Sequence, residues 1–360
     1  MEGKENESGK FPLFSRLLNL AIEKAASDIH LVVGSHPLLR IDGRLLPVTS
    51  EPPLTVEKVE NLLTEIVKQE ALEKVKNKQE IDFSFQHKNS RFRTNIYLQK
   101  NFLAASLRLI PSEVKSFTDL GLPPIIEHFT AQSQGLVIIT GPTGHGKSTT
   151  LASMVQKINL ERREHIITIE DPIEYLFKNE KSLISQREVG SDTLSFTAAL
   201  RSALREDPNV VLIGEMRDLE TIESALVMAE TGHLVITTLH TNSSAQTIDR
   251  IVSVFPAYQQ QQIRSQLAAV LVGVMSQRLI PKISGGRVVA AEVLISNNAI
   301  QNLIRDNKIY QITNVIQTSA SEGMILLDKV LAELVSRGEI SLEDALAWSI
   351  SPKTLKMMVY

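Results

Sequence analysis

The sequence predicts an α/β protein in which a small α+β region precedes a larger region built on a parallel sheet. Two patterns in the 360 residues support this fold class. Between residues 28 and 110, short segments alternate apolar and polar side chains, as antiparallel strands with one solvated face do. From residue 135 onward, continuous apolar runs alternate with helical segments, as the strands of a parallel sheet do. We therefore predict domains at 1–110 and 125–360, joined by a linker at 111–124.

The first region is predicted to combine helices with an antiparallel sheet. Residues 1–10 are polar and charged, which is typical of a disordered tail. Residues 11–26 and 55–75 carry apolar side chains at helical spacing. The predicted strands are Asp28–Val33, Leu38–Ile41, Arg44–Val48, Ile81–Phe85, Arg91–Leu98 and Leu103–Ile110. The Asp42-Gly43 pair predicts a tight hairpin turn between two of them.

Proline and glycine then mark the linker, at Pro111-Ser112 and at Gly121–Pro124. The second region has five apolar segments that we predict to be strands, at residues 135–140, 165–170, 210–214, 233–239 and 288–295. Because helical segments separate these runs, we expect a parallel sheet covered on both faces. The remainder, from residue 297 to 360, has helical periodicity without a strand pattern, so we expect a C-terminal helical segment.

A phosphate-loop pattern follows the first of these strands directly. Gly141–Ser148 reads GPTGHGKS, which fits G-x-x-x-x-G-K-[ST] between a strand and a helix. Glycines permit positive φ angles there, and the backbone N–H groups and the helix N-terminus can surround a polyphosphate. Lys147 adds charge for the β- and γ-phosphates, and the Ser148 hydroxyl is a candidate Mg²⁺ ligand. The alternative, a glycine-rich connector, is disfavoured by the strand–loop–helix context. The predicted nucleotide-binding residues are Gly141, Pro142, Thr143, Gly144, His145, Gly146, Lys147, Ser148 and Thr149.

Carboxylates end two of the predicted strands. Enzymes with a phosphate loop need acids nearby, for Mg²⁺ and for the attacking water. Glu170, Asp171 and Glu174 come together at the end of one strand, and Glu215 ends another. Ligands bind an open α/β sheet at these carboxyl ends, so all four acids are catalytic candidates. Solvated loop charge or a helix cap is the alternative for any single one of them.

Arginine and histidine residues near these strands are further catalytic candidates. Arg201 and Arg205 are predicted to share one helix face, directed either at the γ-phosphate and the acids or at solvent as a surface ion-pair face. His233 begins a predicted strand and His240 ends it. His240 lies on the ligand side of the sheet and can sense the γ-phosphate, whereas a structural role is the alternative for a lone histidine. A metal site is disfavoured because its other ligands would come from distant segments.

Two arginines in the first region complete the candidate nucleotide contacts. Arg93 and Arg108 alternate with apolar neighbours, so one face of each strand is basic. Because the first region has no phosphate loop, they would serve a nucleotide held elsewhere, across domains or subunits. Solvated strand charge is the alternative.

Composition narrows the class of protein. With 38 Lys and Arg against 41 Asp and Glu, the net charge of −3 gives no electrostatic case for a nucleic-acid partner. The absence of cysteine excludes disulfides, thiol catalysis and cysteine-based zinc sites. No signal segment is evident, and the longest apolar run, Leu267–Met275, is far shorter than the ~20 residues needed to span a bilayer. We expect a cytoplasmic protein with no integral membrane segment.

Five motifs together resemble the secretion ATPase superfamily, and within it the type IV pilus retraction ATPases. These motifs are ITGPTGHGKSTT, ITIEDPIEY, SQREVG, ALRSALREDPNVVLIGEMRDLETIESAL and AETGHLVITTLHTNSS. The resemblance covers nearly the whole chain. It implies a PAS-like N-terminal domain, a RecA-like ATPase domain and a hexameric ring that uses ATP and Mg²⁺. It also implies that Glu174 and Glu215 are the catalytic carboxylates.

A helix near the C-terminus resembles a sequence typical of retraction ATPases. Ala299–Asp306 reads AIQNLIRD where the family pattern is AIRNLIRE, so Gln301 and Asp306 depart from it. We expect Ala299, Ile300, Leu303 and Ile304 to form the apolar face that docks this helix. The resemblance implies a coupling role for Ala299, Ile300, Asn302, Leu303, Ile304 and Arg305. The larger N-terminal extension and four-cysteine knob of pilus assembly and type II secretion ATPases are expected to be absent.

The resemblance therefore implies a hexameric ATPase motor that couples ATP hydrolysis to type IV pilus retraction and twitching motility. An assembly or secretion ATPase and an accessory retraction paralogue are alternatives. A non-hydrolysing nucleotide-gated scaffold is disfavoured by the intact Lys147, Glu174 and Glu215, and a DNA-translocating motor by the net charge. The expected partners are further copies of the chain, an inner-membrane pilus platform protein and a paralogous retraction ATPase. The expected location is peripheral, at the inner face of the cytoplasmic membrane.

Overall fold

A computed structural model describes residues 13–41, 44–88, 90–110 and 113–359. The chain divides into two compact units, Met1–Glu113 with Glu174–Leu176, and Val114–Ile173 with Phe177–Tyr360. Three sequence predictions lie outside the described residues: the tail at 1–10, the Asp42-Gly43 turn and the Pro111-Ser112 part of the linker.

The first unit is an antiparallel sheet packed against helices. Its helices are α1 (Leu13–Glu23), α2 (Val56–Thr64) and α3 (Gln69–Lys76). Its strands are β1 (Asp28–Leu31), β2 (Leu38–Ile41), β3 (Arg44–Pro47), β4 (Ile81–His87), β5 (Ser90–Gln99) and β6 (Phe102–Ile110). They pair in the order β3-β2-β1-β6-β5-β4, and every pairing is antiparallel. Phe92 and Ile96 of β5 join Leu17 of α1 and Leu63 of α2 in one core, whereas Arg93 lies on the opposite face.

The second unit contains a seven-stranded sheet. Its strands are β7 (Gly135–Thr140), β8 (His165–Glu170), β9 (Leu183–Glu188), β10 (Val210–Ile213), β11 (Leu234–Leu239), β12 (Leu271–Pro281) and β13 (Arg287–Ile295). The strand order is β13-β12-β7-β11-β10-β8-β9. All neighbours are parallel except β12 and β13, which form an antiparallel pair. The α/β fold class is thus confirmed.

Strands β9 and β12 are not among the predicted strands, and the expectation of an entirely parallel sheet is wrong for β13. The apolar run Leu267–Met275 continues from a helix directly into β12, so no turn residue separates the two elements. Strand β9 reads LISQRE and lies at the sheet edge, where a continuous apolar run is not required. Parallel sheets commonly carry one antiparallel edge strand, as this sheet does at β13.

Helices cover both faces of this sheet. They are α4 (Phe117–Leu120), α5 (Ile126–Ala131), α6 (Lys147–Glu161), α7 (Phe196–Ala203), α8 (Leu219–Glu230), α9 (Ser244–Ser253) and α10 (Gln260–Val270). Alternate residues of β7 belong to different cores, because strand side chains point to opposite faces. Leu136 and Ile138 join the core of α7 to α10, whereas Val137 and Ile139 join that of α4 to α6.

The chain ends in a helical segment, as predicted. Its helices are α11 (Asn298–Arg305), α12 (Ile312–Thr318), α13 (Leu327–Ser336), α14 (Leu342–Trp348) and α15 (Pro352–Val359), with short 3₁₀ turns at Ile309–Gln311 and Ala320–Glu322. The buried Asp328 carboxylate accepts the N–H groups of Ile350 (2.9 Å) and Ser351 (2.8 Å) and so anchors the connection after α14. Across the described ranges, no helix has both the length and the apolar character that a membrane span requires.

Candidate active site

The phosphate loop connects β7 to α6 at the carboxyl edge of the parallel sheet. Its glycines 141, 144 and 146 have φ angles of 142°, 80° and 81°, which side chains rarely permit. At Gly141 space is a second constraint, because a Cβ there would overlap the Gln277 carbonyl of β12. Helix α6 begins at Lys147, so its first N–H groups and positive end face the loop. This part of the chain can hold an anion such as a polyphosphate.

Lys147 links the loop to two other strand ends. Its buried ammonium donates to the carbonyls of Gly141 (2.9 Å) and Pro142 (3.0 Å), which keeps its charge inside the curve of the loop. The same Nζ lies 3.4 Å from His240 Nδ1, just after β11. His240 Nε2 lies 3.4 Å from the Glu215 carboxylate, just after β10. Because an ammonium can only donate, His240 Nδ1 accepts, and Nε2–H donates to Glu215.

Glu215 and Glu170 lie at neighbouring strand ends. Gly214, which precedes Glu215, fits closely against β8, since a Cβ there would lie 3.4 Å from the Glu170 Cα. Glu170 accepts hydrogen bonds from Thr168 Oγ1 (2.7 Å) and Gln186 Nε2 (3.4 Å). Glu215 is only 13% exposed and also pairs with the Arg217 guanidinium. Two predicted catalytic acids therefore end adjacent strands at the edge that holds the phosphate loop, and the exposed Asp171 follows Glu170 directly.

Strand β12 supports the loop from the side opposite to β11. The buried Gln277 side chain accepts from Thr150 Oγ1 of α6 (2.8 Å) and donates to the His145 carbonyl (2.6 Å). It thereby ties the first turn of α6 to the loop. Arg278 is also buried and donates to the Gln277 carbonyl (2.9 Å) and to the Asn242 carbonyl (2.8 Å). These contacts connect the loop with the residues that follow His240.

A buried acid lies behind this arrangement. Glu292 of β13 accepts the Ser244 N–H at 2.8 Å, and burial raises its pKa above the ordinary value, although Ser244 and the Arg278 charge act in the opposite direction. Burial likewise lowers the pKa of Arg278, against the influence of Glu292. Because α9 begins at Ser244, this contact fixes the start of the helix two residues after Asn242.

The His145 side chain of the loop contacts two other elements, β12 and α14. Its Nδ1 accepts the Leu279 N–H at 2.9 Å, and its ring meets Trp348 of α14 edge to face, with centroids 4.6 Å apart. Burial lowers the pKa of His145, and the nearby positive charges of Arg278, Lys147 and Arg287 lower it further. The imidazole is therefore neutral at physiological pH, with its hydrogen on Nε2.

Three predicted site residues lie at the opposite edge of the sheet. His233 precedes β11, and its Nδ1–H donates to the Met228 carbonyl (2.9 Å). The prediction that Arg201 and Arg205 share a helix face is wrong, because α7 ends at Ala203. Arg205 lies in the turn leading to Asn209, whose N–H donates to the His165 carbonyl at the amino ends of β8 and β10. Within one copy of the chain, these three side chains are not at the phosphate loop.

The first unit holds the remaining candidates. Glu174 is exposed and belongs to this unit. Arg93 and Arg108 occupy paired positions on β5 and β6 and lie on the polar face. Arg93 forms a two-point ion pair with Asp82 (2.9 and 3.2 Å), and Arg108 donates to Asp28 (3.0 Å).

The apolar face by which helix α11 packs on the core contains fewer residues than the sequence predicts. Ile300 and Ile304 are fully buried, and Leu303 packs against the same core. Ala299 is exposed, so its assignment to the apolar face is wrong. Asn302 and Arg305 are exposed, and the Arg305 guanidinium donates a hydrogen bond to Asn302 Oδ1 at 2.9 Å.

Gln277, Arg278 and Trp348 are not among the predicted site residues. A signal for the first two was present, because Ser276-Gln277-Arg278 is a polar run inside an apolar segment. Such a run in a central strand indicates buried polar contacts. Trp348 gave no comparable signal, since its partner lies about 200 residues away along the chain.

Comparison with known proteins identifies the family of this chain and supports its fold. Residues 4–346 match the family described as Type II/IV secretion system protein. The chain is 48% identical over 332 residues to the type IV pilus retraction ATPase PilT of Pseudomonas aeruginosa, covering 92% of this chain and 96% of that protein. It is 47% identical over 337 residues to a twitching motility protein of Neisseria gonorrhoeae, covering 93% and 90%.

A solved structure is equally similar. The crystal structure of the pilus retraction motor PilT with bound ADP superposes with a TM-score of 0.90 at 48% identity, covering 97% of this chain and all of that one. The family match includes the phosphate loop and ends within α14, and the structural match covers nearly the whole chain. The chain therefore belongs to the Type II/IV secretion system protein family, and the PilT retraction ATPases are among its relatives.

Proposed function

We propose that this chain is an ATPase motor whose turnover drives type IV pilus retraction and hence twitching motility. The observation that carries the proposal is the series Lys147–His240–Glu215 at the phosphate loop, in a chain that resembles retraction ATPases along nearly its whole length. The loop supplies an anion site, and Glu215 supplies an acid at the adjacent strand end. These are the parts that nucleotide hydrolysis requires.

The loop residues Gly141–Thr149 fit ATP and Mg²⁺. Backbone N–H groups and Lys147 hold the phosphates, and the Ser148 hydroxyl is the ligand that would bind Mg²⁺ together with the nucleotide. Bound Mg²⁺ supplies neutralisation of the charge that develops on the phosphates. Buried Lys147 and half-buried Ser148 stand at the start of α6, where the helix dipole favours negative charge.

Glu215 is proposed to orient the attacking water and to accept its proton. His240 connects Glu215 with Lys147, and Lys147 is also the residue that binds phosphate. The Lys147 ammonium would contact both the bound phosphate and His240. A change in its phosphate contacts would therefore change the hydrogen bonding of His240. His240 is therefore proposed to sense the γ-phosphate, and Glu170 and Asp171 to complete the acidic edge around the metal.

Glu174, Arg93 and Arg108 are proposed to act in a ring. By resemblance, Glu174 is the second catalytic carboxylate, and Arg93 and Arg108 contact nucleotide from the PAS-like domain. Arg201, Arg205 and His233 lie at the opposite sheet edge, so a catalytic role for them requires a neighbouring copy. We propose a homo-hexamer with domains at 1–110 and 125–360, bound at the inner membrane face to a pilus platform protein and assisted by a paralogous retraction ATPase.

Steady-state phosphate release tests the enzymatic part. Lys147→Ala should weaken nucleotide binding. Glu215→Gln should leave binding intact while lowering turnover about 10²–10³-fold, the usual effect of removing one group that acts in the transition state. Glu223→Gln, an exposed change on α8, is the matched control and should turn over normally. Normal turnover by Glu215→Gln would refute its assignment.

Deletion of the gene in its source organism tests the motor part. Loss of retraction should leave abundant surface pili and abolish twitching. A strain that makes no pili would identify an assembly motor, and a strain that retains pili and twitches weakly would identify the accessory paralogue.

A further inference from the structure

The sole tryptophan of the chain touches the phosphate loop. Trp348 is the last residue of α14, and its ring meets the His145 ring edge to face, at 67° and a centroid distance of 4.6 Å. His145 is part of the loop itself, between Gly144 and Gly146. Helices α13 to α15 form the end of the C-terminal helical segment. They thus contact the nucleotide site through this aromatic pair.

His145 has little freedom apart from this contact. Its Nδ1 accepts the Leu279 N–H at 2.9 Å, and its carbonyl accepts Gln277 Nε2 at 2.6 Å. Both bonds come from β12, so the backbone and the ring plane of His145 are held from one side. Trp348 adds an aromatic contact to the His145 ring, which β12 does not provide. Trp348 and β12 together hold the middle of the loop in place.

Trp348 is itself held in place by the C-terminal helical segment. Directly after it, the N–H groups of Ile350 and Ser351 donate to the two oxygens of Asp328 on α13, at 2.9 and 2.8 Å. Helix α14 begins with a capping bond, from the Asp344 N–H to Ser341 Oγ at 3.0 Å, and Ala345 is buried against α13 and β12. A displacement of α13 would therefore move Trp348, and with it one support of the loop.

We propose that Trp348 is a positioning residue for the phosphate loop, through which the C-terminal helical segment sets nucleotide affinity and responds to nucleotide binding. The proposal rests on the proposed nucleotide-binding function. An alternative is that Trp348 only covers apolar surface of α13 and β12. The two ideas differ in their consequences, since covering surface affects stability but not affinity at temperatures well below melting.

Titration with Mg-ADP by calorimetry distinguishes them. Aromatic ring pairs stabilise a contact by an amount that corresponds to roughly a two- to tenfold change in a dissociation constant. Trp348→Ala should weaken ADP binding by that factor, and Trp348→Phe, which keeps a ring, should restore most of the affinity. Met357→Ala, an exposed truncation on α15, should bind as the parent does.

Tryptophan emission gives a second measurement, on the unmodified chain. Because Trp348 is the only tryptophan and adjoins His145, its emission should change as Mg-ADP binds, with a midpoint equal to the calorimetric constant. Unchanged emission together with unchanged affinity of Trp348→Ala would overturn the proposal. If Lys147→Ala also bound ADP normally, the error would lie in the proposed function; if Lys147→Ala lost binding, only the role of Trp348 would be wrong.

Discussion

His233 and His240 lie at opposite ends of β11, roughly 20 Å apart for a fully extended strand of that length. The ring of His240 contacts Glu215 and the Lys147 ammonium, each at 3.4 Å. The ring of His233 contacts the Met228 carbonyl at the amino edge. Only one of them is placed to influence the phosphate loop of its own chain.

Alanine substitution of the two histidines should therefore have different effects on turnover. His240→Ala removes the hydrogen bond between Nε2 and Glu215, so steady-state phosphate release should fall by about 10²-fold with little change in ADP affinity. His233→Ala should retain turnover and lose about 0.5–1.5 kcal/mol of stability, the net contribution of one hydrogen bond. If His233→Ala folded normally yet lost all turnover, that histidine would act on the site of a neighbouring copy.

Gln277 offers a test of how far the loop depends on its support from β12. Gln277→Met keeps the volume of the side chain but leaves the Thr150 hydroxyl and the His145 carbonyl without their partner. The expected cost is about 1–3 kcal/mol of unfolding free energy, with weaker nucleotide binding. Gln262→Met, an exposed change on α10, is the control and should alter neither melting nor binding. Full affinity in Gln277→Met would mean that the loop holds its conformation without β12.

At the scale of elements, α11 carries both a buried residue that should affect stability and an exposed residue that should affect coupling. Ile304 is fully buried, so Ile304→Ala should cost about 2–5 kcal/mol of stability. Arg305→Ala removes an exposed side chain and should shift stability by no more than about 0.5 kcal/mol. We propose that Arg305 couples hydrolysis to retraction, so Arg305→Ala should retain ATPase activity yet abolish twitching.

Two measurements decide this prediction: thermal melting of purified Arg305→Ala, and surface motility of cells that carry it. The control is Lys308→Ala, another exposed residue just beyond α11. Normal melting with parental twitching in the Arg305 variant would leave α11 with a packing role alone.

Some of these elements are predictable from the sequence and others are not. Buried parallel strands such as β7 and β10 are predictable because every side chain in them is apolar or small. Strand β12 is not, since α10 passes into it without a turn signal and its centre is polar. The end of α7 is likewise hidden, because Leu204 and Arg205 continue the helical periodicity although the helix has ended.

The candidate site follows the same division. The loop and Glu215 lie in local patterns, and the structure brings them together with His240, whose position after a core strand suggested it. Trp348 acts through long-range packing and has no local pattern, whereas Gln277 lies in a polar run whose distant partners the sequence does not reveal. The family and the fold class are confirmed, whereas the catalytic assignments remain predictions.

At the scale of the whole molecule, the arginines of the first unit allow a test of shared sites. Lys147→Ala and Arg93→Ala subunits should each be inactive as pure rings, because an arginine that acts on a nucleotide contributes ~10³-fold or more in rate. If Arg93 serves the nucleotide of a neighbour, mixing the two should restore part of the phosphate release. The expected recovery peaks near equal proportions.

The Arg93–Asp82 ion pair requires a control for that experiment, because it also contributes to the surface of the sheet. Arg44→Ala, an exposed change on β3, should behave as the parent in every mixture. Failure of Lys147→Ala and Arg93→Ala to complement at any ratio would argue that Arg93 acts only within its own chain or not at all.

The alternation of β7 between two cores restricts how the length of this chain can change. Loss of a single residue between Gly135 and Thr140 would exchange the faces of every side chain beyond it. The Thr140 hydroxyl would then turn away from the Leu239 and Thr241 carbonyls, to which it donates at 3.0 and 2.9 Å, and the loop would begin out of register. The turn between β12 and β13 is different, since Gly285 and Gly286 have open space beside them. Insertions and deletions are therefore tolerable at that turn and incompatible with β7.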